Sequence, residues 1–411
     1  MSPPLTGLTI VDFSRVLSGP YCTMLAADMG ARVIKIEHPV GGDDTRAWGP
    51  PFLEGESAYY LSINRNKESV AIDFKTPEGL AAVQALAANA DVIVENFRPG
   101  TLDRHGLGYA ALAAANPALI YVSISGFGQN GPRRDEPGYD AIAQAEGGLM
   151  GITGDPTGPP VRLGVAIADI AAGMFAFQGM LLALIARGKT GRGQVVDVSL
   201  LDSVAALLTY QAGRFFATGE VPVRTGNRHS TIAPYDTFDA ADGVLVLAVG
   251  NDVQWQRLCA ELGTADLAAD SRYLTNAGRV EHYAALRPAL AARLAPLALD
   301  PLITRLREAG VPCGAARSLD EVFADPQLAA REMVATVTHP TIGPLQVLGL
   351  PTKLSDTPGR IATAPPRLGE HQGTGLPSTG FPQPGDRSRT PTTAPPASES
   401  PSAETPPRRR P

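Results

Sequence analysis

Residues 8–37 read LTIVDFSRVLSGPYCTMLAADMGARVIKIE. A β-branched run, LTIVDF, gives way to the Ala-rich YCTMLAADMG and then to a second β-branched run, RVIKIE. Val and Ile favour extended backbone and Ala, Leu and Met favour helix, so the stretch predicts a βαβ unit. The rhythm continues through SVAIDF at 69–74, a helical stretch from Thr76 to Ala90, DVIVENF at 91–97 and LIYVSISGFG at 119–128. A mostly parallel sheet with helices on both faces is the packing this order predicts, and VVDVSLLD at 195–202 adds a further strand leading into a helix.

Between Gly219 and Asn227 the rhythm breaks. Residues 233–250, APYDTFDAADGVLVLAVG, read as a hairpin turning at Asp242-Gly243. Helical patterns follow at Asp252 to Leu262 and Val280 to Ala309, the second expected to break near Asp300-Pro301 because proline interrupts a helix. Then come DEVFADPQLAAREMV, read as one helix, and THPTIGPLQVLGLP, read as extended. The expected division is a large Rossmann-like domain over 1–220, a small α+β domain over 221–325, a return segment to the large domain over 326–376, and a Pro/Ser/Thr-rich tail over 377–411 with too little apolar surface to offset chain entropy.

The chain has 411 residues, 44% hydrophobic and 18% charged, which is ordinary globular composition at a length that suggests two domains. A net charge of −6 argues against a nucleic-acid partner, since phosphate backbones are bound by clustered Lys and Arg. Cys22, Cys259 and Cys313 lie far apart without a CxxC pair, so neither a disulfide framework nor a metal site is expected. No basic segment followed by a long apolar one opens the chain, which predicts a cytoplasmic protein. The most apolar window, Ile167 to Ile185, has the length of a bilayer span, but it contains Asp169 and Gln178 and is read as a buried helix of a soluble protein with no membrane partner.

A first βα turn is where a dinucleotide would sit, but only Gly19 lies between Phe13 and Met24, so the G-x-G-x-x-G set is missing. Neither a phosphate-binding G-x-x-x-x-G-K-[ST] nor a G-x-S-x-G nucleophile elbow occurs. Asp169 is the residue whose surroundings stand out. A carboxylate among Val165, Ile167 and Ile170 is poorly solvated, which makes its anion more reactive toward an electrophile. The plainer alternative is that Asp169 caps the helix that follows it.

Nine segments in order resemble the family III coenzyme A transferases: RVLSGPYCTMLAADMGARVIKIE at 15–37, GDDTR at 42–46, LSINRNKES at 61–69, VENFRPG at 94–100, SGFGQNGP at 125–132, GYDAIAQA at 138–145, GVAIADIAAG at 164–173, TGRGQVVDVSLLDS at 190–203, and GNRH at 226–229 followed by PYDTF. The resemblance implies an α/β fold with a Rossmann-like large domain built from both chain ends, a smaller inserted α+β domain, and two subunits linked as interlocked rings. It places Asp169 at the position of the nucleophile. It also implies a binding site for coenzyme A, a substrate and not a permanently bound cofactor, at Val16 and Leu17, at His38, from Ile72 through Asp73 and Phe74 to Lys75, at Asn96, Phe97 and Arg98, at Arg104, and from Pro137 through Gly138 and Tyr139 to Asp140.

The racemases related to this family pair an Asp with a His in a Gly-His-Asp motif, since inversion beside a thioester needs a base on each face. Here the triplet is Gly138-Tyr139-Asp140, and a phenol is a poor base at neutral pH. The formyl and oxalyl branch carries a run of glycines where this chain has AVGNDVQW, with Gly250 alone. The wording GDDTRAWGPPF and YYLSINRNK resembles the succinyl-CoA-dependent dicarboxylate transferases most, which implies CoA transfer between an acyl-CoA and a carboxylic acid, with Arg46 a candidate for holding a distal carboxylate in bidentate fashion. A structural ion pair is the alternative for Arg46, an acyl-CoA racemase the alternative activity.

Overall fold

The computed structural model describes residues 1–373, so the expected tail lies outside the described residues. The first strands and helices are β1 (Thr9–Asp12), α1 (Ser18–Asp28), β2 (Arg32–Glu37), α2 (Ala58–Ile63), β3 (Lys67–Ala71), α3 (Pro77–Ala88), β4 (Val92–Glu95), α4 (Tyr109–Ala115) and β5 (Ile120–Ser125). They are followed by α5 (Asp140–Glu146), α6 (Ile167–Thr190), β6 (Val195–Ser199), α7 (Leu200–Leu207) and α8 (Thr209–Thr218). The six strands form one parallel sheet in the order β3-β2-β1-β4-β5-β6.

Successive residues of a strand point to opposite faces, and both faces of this sheet are buried. Ile10, Val33, Val92, Val94 and Val122 pack under Ala26, Ala172 and Met180 of α1 and α6. The intervening Val11, Ile34, Ile93 and Tyr121 pack under Val83, Leu86 and Leu112 of α3 and α4. Thr76 starts α3, its side chain accepting from the Gly79 N–H at 3.1 Å, with Pro77 at the first helical position where its missing N–H costs nothing.

The chain leaves β1 toward β2 and β3 on one side and reaches β4, β5 and β6 on the other, so the order reverses between β1 and β4. In open α/β sheets the crevice beyond the carboxyl ends at such a reversal is where ligands bind. Here that crevice lies between residues 13–18 after β1 and residues 96–98 after β4.

The helix α6 is only partly buried. Ala168, Ala172, Ala176, Met180 and Ala183 face the sheet and α1, whereas Leu182 is 67% and Ile185 59% exposed. Just 39% of its most apolar window is buried, so the expectation of a buried helix holds for one face alone. Gly173 sits where α6 crosses α1: a Cβ there would stand 2.6 Å from the Ser18 carbonyl oxygen.

A second core surrounds Trp255, Phe238, Leu247, Leu258 and Leu290. Its hairpin, β7 (Tyr235–Ala240) and β8 (Gly243–Ala248), pairs Gly243 with Ala240, so the turn is Ala241-Asp242, one residue earlier than expected. Asp242 instead accepts the Leu299 N–H at 2.8 Å. Pro301 falls in the first turn of the Leu299–Glu308 helix, where a proline is tolerated, and the break precedes it at residues 295–298. The expected single helix over 320–334 is divided into Leu319–Ala324 and Pro326–Ala330, because Asp325 caps the second piece with Pro326 at its first position.

Two later strands, Val334–His339 and Gly343–Leu348, form a hairpin that packs Val337, Leu345 and Val347 on Leu61. Beyond it, Asn66 Oδ1 accepts the N–H groups of Ala362 and Thr363, and the His371 N–H donates to the Ser69 carbonyl at the edge of β3.

Candidate active site

Asp169 is the third residue of α6. Its helix opens at Ala166 without a side-chain cap, and Asp169 does not supply one. The cap comes from Asp140, at the start of α5, whose Oδ1 accepts the Ala168 N–H at 2.9 Å. The capping alternative for Asp169 is therefore filled by another residue. Burial pushes the Asp169 carboxyl up to about 7, helped by the neighbouring negative charge of Asp140 and opposed by a hydrogen bond with Ser18. Ser18 itself opens α1, whose first turn has no acidic residue and no side-chain cap, so the positive end of that helix faces the Asp169 side of the site.

Asp169 lies in a cavity of about 370 Å³ with Val16, Ser18, Asn96, Phe97, Arg98, Pro137, Gly138 and Tyr139. A second cavity of about 420 Å³ is lined by His38, Ile72, Asp73, Phe74 and Lys75. Arg15, Asp44, Phe97 and Thr101 belong to both, so the two form one continuous trough over the crevice between β1 and β4. In the second cavity Phe74 meets Phe13, Phe97 and His105 edge to face, with ring centroids 5.5 to 6.4 Å apart. That apolar, aromatic surface suits a flat heterocycle. The side chains of Lys75 and Arg98 have no hydrogen bond or ion pair among the described residues, which leaves both cations to meet an anionic ligand.

Several residues expected in the site are placed elsewhere. Leu17 is buried beneath the trough with Met24 and Ile63. Arg104 lies beside it, one guanidinium nitrogen 3.3 Å from Thr101 Oγ1, without lining either cavity. Asp140 faces the start of α6 and not the trough. Arg46 lines neither cavity: it donates twice to Glu37 at 2.7 Å, to the Tyr60 hydroxyl at 2.6 Å and to the Pro366 carbonyl at 3.1 Å, the geometry of the structural ion pair. Gly250 is an exposed residue just after β8, where its N–H donates to Gln254, and it lines neither cavity in this chain.

Sequence reasoning also missed what holds the trough in shape. Asn96 lines the cavity, but its amide ties the two loops of the crevice together, accepting the Arg15 N–H at 2.8 Å and donating to the Arg15 carbonyl at 2.7 Å. Val16 has a φ of 67°, an uncommon value for a β-branched residue, and its N–H donates to Asp43. Asp43 pairs in turn with the fully buried Lys35, whose ammonium donates to the Ser14 carbonyl at 2.7 Å. Burial opposes the charge on Lys35, yet Asp43 and Asp12 outweigh it and hold the ammonium above its ordinary range. A lysine inside RVIKIE, a strand buried on both faces, was the one available signal of this network.

Gly126 and Gly138 meet backbone to backbone: a Cβ on Gly138 would stand 2.4 Å from the Gly126 Cα. The contact fixes the backbone just before Tyr139. Gly138→Ala is expected to lower turnover on the order of 10²-fold by shifting Tyr139 and Asp140, with unfolding temperature and steady-state kinetics measured side by side.

The match to CoA-transferase family III runs over residues 5–372. The chain belongs to that family. This family III transferase is 45% identical over 376 residues to the succinate–glutarate CoA-transferase of Agrobacterium fabrum, covering 90% of this chain and 94% of the relative. It is 43% identical over 368 residues to the succinyl-CoA:glutarate CoA-transferase of Mus musculus, covering 90% of this chain and 84% of the relative. The crystal structure of a CAIB/BAIF family protein from Brucella suis superimposes with a TM-score of 0.82 at 43% identity, over 90% of this chain and 98% of that one. The transferase therefore has the mixed α/β fold of that structure, with CoA thioesters as the substrates of its class.

Proposed function

We propose that this enzyme transfers CoA from succinyl-CoA to a dicarboxylic acid through a covalent intermediate on Asp169. The observation that carries this reading is a poorly hydrated carboxylate, Asp169, lining one cavity of a trough whose other cavity offers an aromatic pocket with Lys75 at its rim. Asp169 attacks the thioester carbonyl, the C–S bond breaks, and CoA leaves as thiolate, giving a mixed anhydride. The thiolate then attacks the aspartyl carbonyl, releases succinate and leaves an aspartyl-CoA thioester. The acceptor carboxylate attacks that thioester, forming a second anhydride and freeing CoA again, and the thiolate takes the new acyl group and restores the Asp169 carboxylate.

The adenine and phosphates lie along His38 and Ile72 to Lys75, and the pantetheine arm passes Val16, Phe97 and Arg98 to Asp169. The names of the similar proteins support the donor and the dicarboxylate class. A racemase is disfavoured because no histidine lines the cavity around Asp169 among the described residues, and Tyr139 stands where that reaction needs an imidazole.

The separate second core, and the packing of Val337, Leu345 and Val347 on Leu61, support a large domain built from both chain ends with a small domain inserted. The functional unit is a homodimer: Phe216 at 80% exposure, and separately Leu182 and Ile185 on α6, are apolar side chains that a second copy would cover. The site of action is the cytoplasm.

The test is incubation with succinyl-CoA and a panel of acids, among them glutarate, citramalate, mesaconate, oxalate and acetate, with new thioesters read by mass spectrometry. Exchange confined to dicarboxylates supports the reading. No exchange with any member of the panel, or loss of stereochemistry from a chiral 2-methylacyl-CoA in deuterated water, sinks it.

A further inference from the structure

The start of α6 is held from outside by a pair of side chains on α5. Asp140 Oδ1 accepts the Ala168 N–H at 2.9 Å, and Asp140 Oδ2 accepts from Gln144 Nε2 at 2.8 Å. Gln144, which is fully buried, accepts the Leu163 N–H at 2.9 Å through its own carbonyl. Residue 163 and residue 168, the two ends of the segment that leads into the first turn of α6, are thus fastened to one short helix. No side chain within that segment caps α6. The cap is an acid, which suits a helix N-terminus, but it also sets a second carboxylate next to Asp169.

We propose that Asp140 is the positioning residue of this site: it fastens the catalytic helix in place and keeps a fixed negative charge beside Asp169 that is relieved when Asp169 is acylated. The inference rests on the reading of Asp169 as the nucleophile. In the acylation step the charge on the Asp169 carboxylate passes to the departing CoA thiolate, and the anhydride left behind is neutral. A like charge close by therefore destabilises the starting carboxylate and not the intermediate, which lowers the climb between them. The Asp169 carboxyl is raised first by burial and second by the charge of Asp140, which agrees with this geometry.

Other charged or titratable groups face the same carboxylate. Tyr59 on α2 interacts with both Asp169 and Asp140, and burial raises its phenol to about 12. Arg15, Asp44, Arg98, Glu136 and Tyr139 line the cavity. None of these caps α6, so a change confined to Asp140 separates its charge from theirs.

Asp140→Asn keeps an oxygen for the Ala168 N–H and removes the charge, but it turns an amide nitrogen toward Gln144 Nε2 and so gives up that one hydrogen bond. Its acid limb in a kcat/KM profile is expected to move to lower pH, and kcat is expected to fall about tenfold for each pH unit moved. The unfolding temperature should fall only modestly, by the loss of one buried hydrogen bond at Gln144. Asp140→Ala, which also removes the cap, should add a further loss on the order of 10²-fold without moving the limb further. If the asparagine variant does not fold, Asp140→Ser retains a capping oxygen and is measured in the same way. A variant without charge at 140 that keeps the parental limb and kcat, while Asp169→Ala is inactive, overturns this inference alone. Activity in Asp169→Ala overturns the nucleophile reading as well.

Discussion

Asp169→Ala is expected to lose at least about 10⁴-fold in kcat while still binding CoA, since removal of a covalent nucleophile removes the pathway and not merely one contact. The aromatic and cationic surface of the second cavity contains no atom of Asp169, so affinity for CoA should be nearly parental. Two measurements check this: thioester exchange followed by mass spectrometry, and CoA binding by calorimetry. During turnover of the parent protein, hydroxylamine or borohydride should tag residue 169 and no other carboxylate. Full-speed exchange in the alanine variant would end the covalent reading, and simultaneous loss of CoA binding would show a fault in folding instead.

A second large effect concerns pH. The Asp169 carboxyl stands at about 7 in the folded chain against an ordinary 3.8, with burial as the chief cause and Asp140 second. Only the carboxylate attacks, so below pH 7 activity should fall about tenfold per unit. Stability runs the other way. Between pH 3.8 and 7 the folded chain keeps a proton that the unfolded chain has released, so the contribution of this group is full below 3.8 and is lost as pH rises through 7. Asp169→Asn, which is always neutral, should be more stable than the parent above pH 7 by roughly 1–3 kcal/mol, with the difference vanishing near pH 4. Denaturant midpoints at pH 4, 6 and 8 decide it. A constant difference at all three would mean that the carboxyl is well hydrated in the folded protein. Glu95, which burial also raises to about 7, is present in both proteins and cancels in the comparison.

The parallel sheet was legible because its central strands are buried on both faces and so read as runs of Val and Ile, as in VIVE of β4. Turns were less so. Asp242-Gly243 suggested a hairpin turn by composition, but Asp242 is drawn to the first turn of a helix 57 residues away, and that tertiary bond is invisible to local pattern. The site divides along the same line. Residues on the two loops at the reversal of the sheet, Val16 and residues 96–98, lie together in the trough with Asp169 because topology brings their strands side by side. Arg46 could not be judged from sequence, since its partners Glu37, Tyr60 and Pro366 come from three separate stretches. Asp140 and Tyr139 are neighbours in the chain with opposite duties: Tyr139 lines the cavity while Asp140 turns to the helix behind it.

The half-bare helix α6 carries a consequence for how this enzyme is assayed. With 24 residues it is a rod of about 36 Å, with the reacting group in its first turn and Leu182 and Ile185 toward its far end. Anything that settles on that greasy flank stiffens the same rod that aims the nucleophile. Dilution strips such a companion away by mass action. If a second copy settles there reversibly, rates gathered at nanomolar and micromolar protein should differ.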